Sequence, residues 1–364
     1  MKKSLLALAV LGAFAGAAQA QTAVTIYGVV DAGVSRGYGD NAVPVTPANA
    51  NSVGARTFMH SGGSAGSRVG FRGTEDLGNG LSGIFTLEHG FNVDNGGFAD
   101  TTRMFNRQAF VGLKSNSFGT VSLGRQQNLV RLALLDFDPF ALAYAGAASN
   151  LLSTYGQRMD NSLKYATPSF GGFTAEVIYG FGETADSEES RQYEGSLGYA
   201  NGPIGVKLVH HTSRGTVGVA GGIPLARTNA IFGSYNFGMA KLSLGFLDND
   251  ISGIAGLAPA AAAAFVGGVG PAGITAESRD YLVGLTVPFG PNTLRASYIR
   301  KNDRTAAEAD ATQYGLSYDY ALSKRTSFYT SWARINSDAA PFAANGTIGN
   351  TTDRLFNVGV RHAF

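Results

Sequence analysis

Sixteen stretches of this chain alternate apolar with polar or small residues, and turn residues bound each of them: 22–36, 65–75, 80–92, 103–114, 118–126, 158–168, 171–182, 188–201, 203–214, 226–237, 239–250, 277–288, 292–304, 309–321, 324–336 and 352–364. A two-residue rhythm is the pattern of a β-strand, whose successive side chains point to opposite faces. Each stretch therefore carries one oily and one wet face. The connections also alternate: tight breaks at EDLGNG, SNSFG, PSFGG, ANGP, NFGM, PFGPN and ALSKR are separated by longer, irregular runs. An even number of strands, with short turns on one rim and long loops on the other, is the pattern of a transmembrane barrel.

The first twenty residues, MKKSLLALAVLGAFAGAAQA, combine Lys2 and Lys3, an apolar run and Ala18-Gln19-Ala20. That is the layout of a cleaved secretory leader, which divides the chain into 1–20 and a barrel over 21–364. Lys2 and Lys3 leave with the leader, so the remaining basic residues balance the 26 acids and no nucleic-acid-binding surface is expected. No second apolar helix follows. The alanine-rich run near 258–270 is too weakly apolar to span. A chain that leaves the cytoplasm can still span a membrane with strands, because each shows lipid only one face.

Cysteine is absent, which excludes disulfides and thiolate chemistry, and the five histidines have no metal-ligand spacing. Gly62-Gly63-Ser64-Ala65-Gly66 fits GxSxG, but a strand follows where a nucleophile elbow needs a helix. No cofactor and no catalytic group is expected.

The C-terminal run RLFNVGVRHAF puts Phe356, Val358, Val360 and Phe364 on one face and Asn357, Gly359 and Arg361 on the other. In hydrocarbon every backbone N–H and C=O must be paired, so this strand is expected to close against TAVTIYGVVDAGV near the start, with Phe364 at the seal. Tyr27, Tyr199, Tyr235, Phe289 and Tyr320 read as anchors at the membrane interfaces. In RVGFRG, Val69 and Phe71 take the lipid face and send Arg68 and Arg72 into the lumen, since an arginine on lipid at mid-depth costs about 2–4 kcal/mol. The longest connection, 126–157, carries RLALLDFDPFALAYAGAAS, too apolar to sit in water and expected to fold inward.

Taken together, VTIYGVVDAGV, SRVGFRGTEDLGNGL, FGTVSLGRQ, DNSLKYATPSFGGF, SYNFG, LSKRTSFY and GVRHAF, in this order, make the chain similar to the general diffusion porins of Gram-negative outer membranes, in particular those of β-proteobacteria. The resemblance implies an all-β, 16-stranded antiparallel transmembrane β-barrel with an inward-folded third loop, assembled as a homotrimer in outer-membrane lipid. It further implies insertion by the barrel-assembly machinery through the C-terminal strand. By the same resemblance, Arg107, Arg125 and Arg158 join Arg68 and Arg72 on the basic side of the constriction, while Asp136 and Asp138 of the loop and Glu88 of the wall form the acidic side. The family's loop often turns at Pro-Glu-Phe-Gly, where this chain has Asp138-Pro139-Phe140-Ala141. Facing charges about 8 Å apart interact by roughly 0.5 kcal/mol in water and roughly 2 kcal/mol at an effective dielectric of 20, enough to sort ions without trapping them. Five arginines against three carboxylates imply a mild anion preference for small hydrophilic solutes. A substrate-specific channel is the alternative within the same fold, and a barrel enzyme or an adhesin lies outside it.

Overall fold

The structure, a computed structural model, describes residues 23–39, 54–153, 157–183, 189–215, 225–252, 277–304, 308, 310–338 and 352–364. The leader over 1–20 and the alanine-rich run near 258–270 lie outside the described residues.

Seventeen strands form one antiparallel sheet: β1 (Ala23–Gly39), β2 (Gly54–Ser61), β3 (Arg68–Gly78), β4 (Leu81–Gly90), β5 (Gln108–Ser115), β6 (Gly119–Gln127), β7 (Arg158–Ala166), β8 (Phe173–Gly180), β9 (Gln192–Asn201), β10 (Ile204–Arg214), β11 (Leu225–Asn236), β12 (Lys241–Ser252), β13 (Glu277–Phe289), β14 (Asn292–Asp303), β15 (Ala311–Ala321), β16 (Thr326–Ser337) and β17 (Thr352–Ala363). The sheet closes on itself, with β17 pairing β1 from Val29↔Ala363 to Gly39↔Asp353. Closure leaves no edge exposed to lipid.

The long β1 pairs β3 along one half, Ala23↔Thr74 to Val29↔Arg68, and β2 along the other, Ala32↔Ser61 to Gly39↔Gly54. Strands β2 and β3 are thus two pieces of one stave, and the barrel has sixteen. The segment 54–61 is a correction to the sequence reading, which began this stave at residue 65. The break follows from Gly62, at φ +80°, and from Asp31, whose Oδ2 accepts hydrogen bonds from the Ser64 and Ala65 amides and the Ser64 hydroxyl. Tyr329 donates its hydroxyl to the other oxygen of Asp31 at 2.6 Å. Three bonds to one carboxylate oxygen hold the turn where the ladder has been given up.

Alternation sorts the side chains as expected. Phe356, Val358, Val360 and Phe364 are exposed on the outer face while Leu355 and Asn357 are buried on the inner one. At the seal, Phe364 and Gly28 exchange both backbone hydrogen bonds at 3.1 Å. Of the five proposed interface anchors, Tyr199 and Tyr235 pair with outer neighbours Phe173 and Phe237, and Phe289 and Tyr320 are exposed. Tyr27 is the exception, because alternation with outward Val24 and Ile26 turns it into the lumen.

Candidate functional site

Between β6 and β7 the chain leaves the wall and crosses the lumen. Its first turn is helix α1 (Leu129–Phe137), capped by Asn128, whose Oδ1 accepts the Arg131 amide at 2.8 Å. The Glu194 carboxylate of β9 accepts the amides of Leu129 and Val130, so an acidic wall residue meets the positive end of the helix. One face of α1, Leu129, Val130, Ala133, Leu134 and Phe137, is buried in a cluster with Val209, Ala230, Phe232 and Leu247 of β10–β12. Phe137 and Phe232 stack at 5.5 Å. This apolar patch on the inner wall explains why so oily a loop folds inward: its water-avoiding face has a receptor inside the barrel.

Past α1 the loop runs along β13–β16. Phe140 is fully buried over Gly315, where an added Cβ would lie 2.7 Å from the ring. Tyr144 donates to Asp319 at 2.6 Å, the Ala145 amide donates to the Ser331 hydroxyl at 3.0 Å, and Gln313 donates to the Gly146 carbonyl at 2.7 Å. The Tyr144 amide donates to the Gly63 carbonyl, tying the loop to the broken stave. Ala141, Leu142 and Tyr144 take left-handed backbone conformations, with φ between +49° and +58°. Such strain in non-glycine residues persists only where the surroundings enforce it.

The enforcing group is Asp138. Fully buried, it accepts the amides of Phe140, Leu142 and Ala148 at 3.0–3.1 Å. Burial pushes its pKa up to about 6, against the pull of those three donors. Asp138 therefore holds the loop's shape and does not face the lumen. Asp136 is exposed but lies toward β10 and β12, beside Lys207 and Lys241, and its carbonyl accepts the Lys241 ammonium at 3.0 Å. Neither loop acid opposes the arginines. That expectation is overturned because a carboxylate in an apolar loop is stabilised by amides and lysines within reach.

The cavity of about 780 Å³ left between loop and wall is lined by the guanidiniums of Arg68, Arg72, Arg107, Arg131, Arg295 and Arg361. Among the described residues, Glu88 is the one carboxylate lining it. Glu88 accepts Arg107 Nε at 2.6 Å and the Tyr27 hydroxyl at 2.9 Å, with Arg68 Nε at 3.5 Å. Arg72 lies 4.9 Å over the Tyr27 ring, and that ring lies flat on Gly70, where a Cβ would sit 2.5 Å from Tyr27 Cζ. Arg295 pairs with Asp319 and stands 5.3 Å over Tyr144. Arg131, buried on α1 among Arg107 and Arg68, donates to Gln157 at 2.8 Å, and its burial, then its like-charged neighbours, push its pKa down to about 10.

Arg68, Arg72, Arg107 and Glu88 thus line one cavity. Arg158 sits behind them, among Arg107 and Arg131, and does not line the cavity. Arg125 is a correction. It does not line the cavity: at the register break between Gly124 and Gln126 it pairs with Asp160 and donates to the Asn106 carbonyl at 2.8 Å. Arg131 and Arg295 are site residues that sequence reasoning did not single out, while Tyr27 was read as an interface anchor and Arg361 was placed on the wet face without a role. Arg295 was within its reach, because Leu294 beside it faces lipid.

The model of the family described as "Gram-negative porin" matches residues 7–340. The chain belongs to the Gram-negative porins. It is 34% identical over 396 aligned residues to an outer membrane porin protein of Bordetella pertussis, and 34% identical over 393 to outer membrane porin protein 32 of Delftia acidovorans, each covering all of both chains. Among solved structures it is similar to the anion-selective porin from Comamonas acidovorans, with a TM-score of 0.76, 29% identity, and 94% of this chain and 100% of that one covered. The porin resides in the outer membrane, where its closed barrel encloses the cavity as a path for diffusion.

Proposed function

We propose that this porin is a passive channel for small solutes with a preference for anions, and that its selectivity is set where the inner loop narrows the lumen. The observation that carries this reading is the imbalance at the constriction: six guanidiniums against one lining carboxylate, which is already shared by two of them. A row of cations in a confined, partly dehydrated passage lowers the energy of an anion and raises that of a cation. The anion-selective porin of Comamonas acidovorans supports the same reading. No reacting group is called for; solutes pass down their own gradient.

The reading includes a homotrimer, in keeping with the trimer form of the Vibrio cholerae OmpT barrel, whose fold this chain shares. It also includes cleavage of the leader after Ala20 and insertion through the C-terminal strand. Purified protein in a planar bilayer under a potassium chloride gradient tests it: conductance steps in threes and a reversal potential of anion sign are expected. A cation sign overturns the selectivity, and absence of conductance overturns the channel.

A further inference from the structure

Beyond Arg131, the loop meets the constriction with a largely apolar run. Leu135, Pro139, Ala141 and Leu142 of the loop line the same cavity as Arg68, Arg72 and Arg107. Next to it, toward the rim of short turns, lies a recess of about 260 Å³ in which Ile84 of β4, Phe110 of β5, Leu132 of α1 and Ala166 of β7 supply the apolar surface, and Thr120, Ser122 and Gln126 of β6 supply polar groups. Gln108 and Gln127 line both spaces, so the recess and the arginine chamber adjoin at these two residues. The one charge at its edge, Lys164, is paired with Glu176 at 2.9 Å.

Ile84 and Phe110 break the rule of their strands. The inward side of β4 and β5 otherwise carries Thr86, Glu88 and Gln108, while the apolar Val111 and Leu113 face outward. Apolar surface held against lumen water costs about 25 cal/mol per Å² until something covers it. A dry cavity of about 150 Å³ is enough for benzene, so this recess has room for a six-membered ring. The guanidinium plane is weakly hydrated and stacks on aromatic faces while its N–H fork takes a carboxylate.

We propose that the channel, on the anion-selective reading above, favours amphiphilic organic anions: the arginines take a carboxylate while the recess covers the compact apolar or aromatic body attached to it. Arylcarboxylates are the solute class that fits. Both contacts are partial, which permits release as well as capture.

Bi-ionic potentials of the bilayer-inserted porin test this, with sodium chloride on one side and sodium acetate or sodium benzoate on the other at neutral pH. The expected result is that benzoate permeates better than acetate, by about threefold, in spite of its size, as covering some tens of Å² of apolar surface requires. Replacing both Ile84→Ser and Phe110→Ser should restore the order set by size, acetate ahead of benzoate, with the reversal potential in potassium chloride unchanged. Leu132→Gln, which alters no strand, should do the same. Acetate ahead of benzoate in the unaltered porin overturns the inference and leaves the anion channel standing. A cation-signed potential in potassium chloride overturns the inference together with the reading beneath it.

Discussion

The wall of β3–β5 and the loop across from it were both expected to carry charge, yet they meet the lumen in opposite ways. The wall is a regular ladder in which every second residue must face inward, so Arg68, Arg72 and Glu88 have no alternative to the lumen, and Arg107 joins them from the bend just before β5 through its pairing with Glu88. The loop has no such period. It turns its apolar residues toward the wall patch and the cavity, and its acids toward amides and lysines. Regular backbone fixes where a charge points. Irregular backbone lets local chemistry decide.

The comparison breaks most sharply if the wall's charge is removed. The triple substitution of Arg68, Arg72 and Arg107 by serine should cut the reversal potential in a salt gradient to less than about half, because it leaves Glu88 unshared. An unchanged potential would mean that selectivity lies elsewhere. On the loop side, Asp138→Ala strands three buried amides at about 1–3 kcal/mol each, so the loop should leave its strained conformation and unit conductance should rise about twofold. The barrel itself should keep its β-spectrum. Glu88→Gln sharpens the contrast by freeing Arg107 and Arg68 from their shared partner, and the anion-to-cation permeability ratio should rise by about twofold.

Smaller effects come from conditions. Raising salt from about 0.1 M to about 1 M shortens the Debye length from about 10 Å to about 3 Å, so anion preference should weaken and the apolar loop should not compensate. For Asp138, the folded value of about 6 lies above the free value of 3.8, so folding takes up a proton. The loop's anchor is therefore strongest below pH 4 and loses at most about 3 kcal/mol as pH rises through 6. Current noise from loop motion should be slightly lower at pH 5 than at pH 7, and Asp138→Asn should remove that difference.

Much of this was legible in the sequence. The strands, their closure and the inward direction of Arg68 and Arg72 follow from a period of two, and Arg361 already fell on the wet face of the last strand. Arg125 was placed by resemblance, and the register break between Gly124 and Gln126, which no local pattern announces, leaves it paired with Asp160 away from the cavity. Tyr27 was read for its residue type as an interface anchor, although its parity with Val24 and Ile26 turns it inward. The stave break at Gly62–Ser67 depends on Asp31, more than thirty residues away, and no local pattern announces it. The loop acids were not legible because their partners, three amides two to ten residues on in one case and two wall lysines in the other, follow from an aperiodic backbone and from packing against the wall.

The account stands or falls on the net charge at the constriction. Its most direct test is the zero-current potential of the purified porin across a tenfold potassium chloride gradient. A potential on the chloride side of zero, shrinking as the wall arginines are removed, is the predicted result. A potential on the potassium side in the unaltered protein would contradict it.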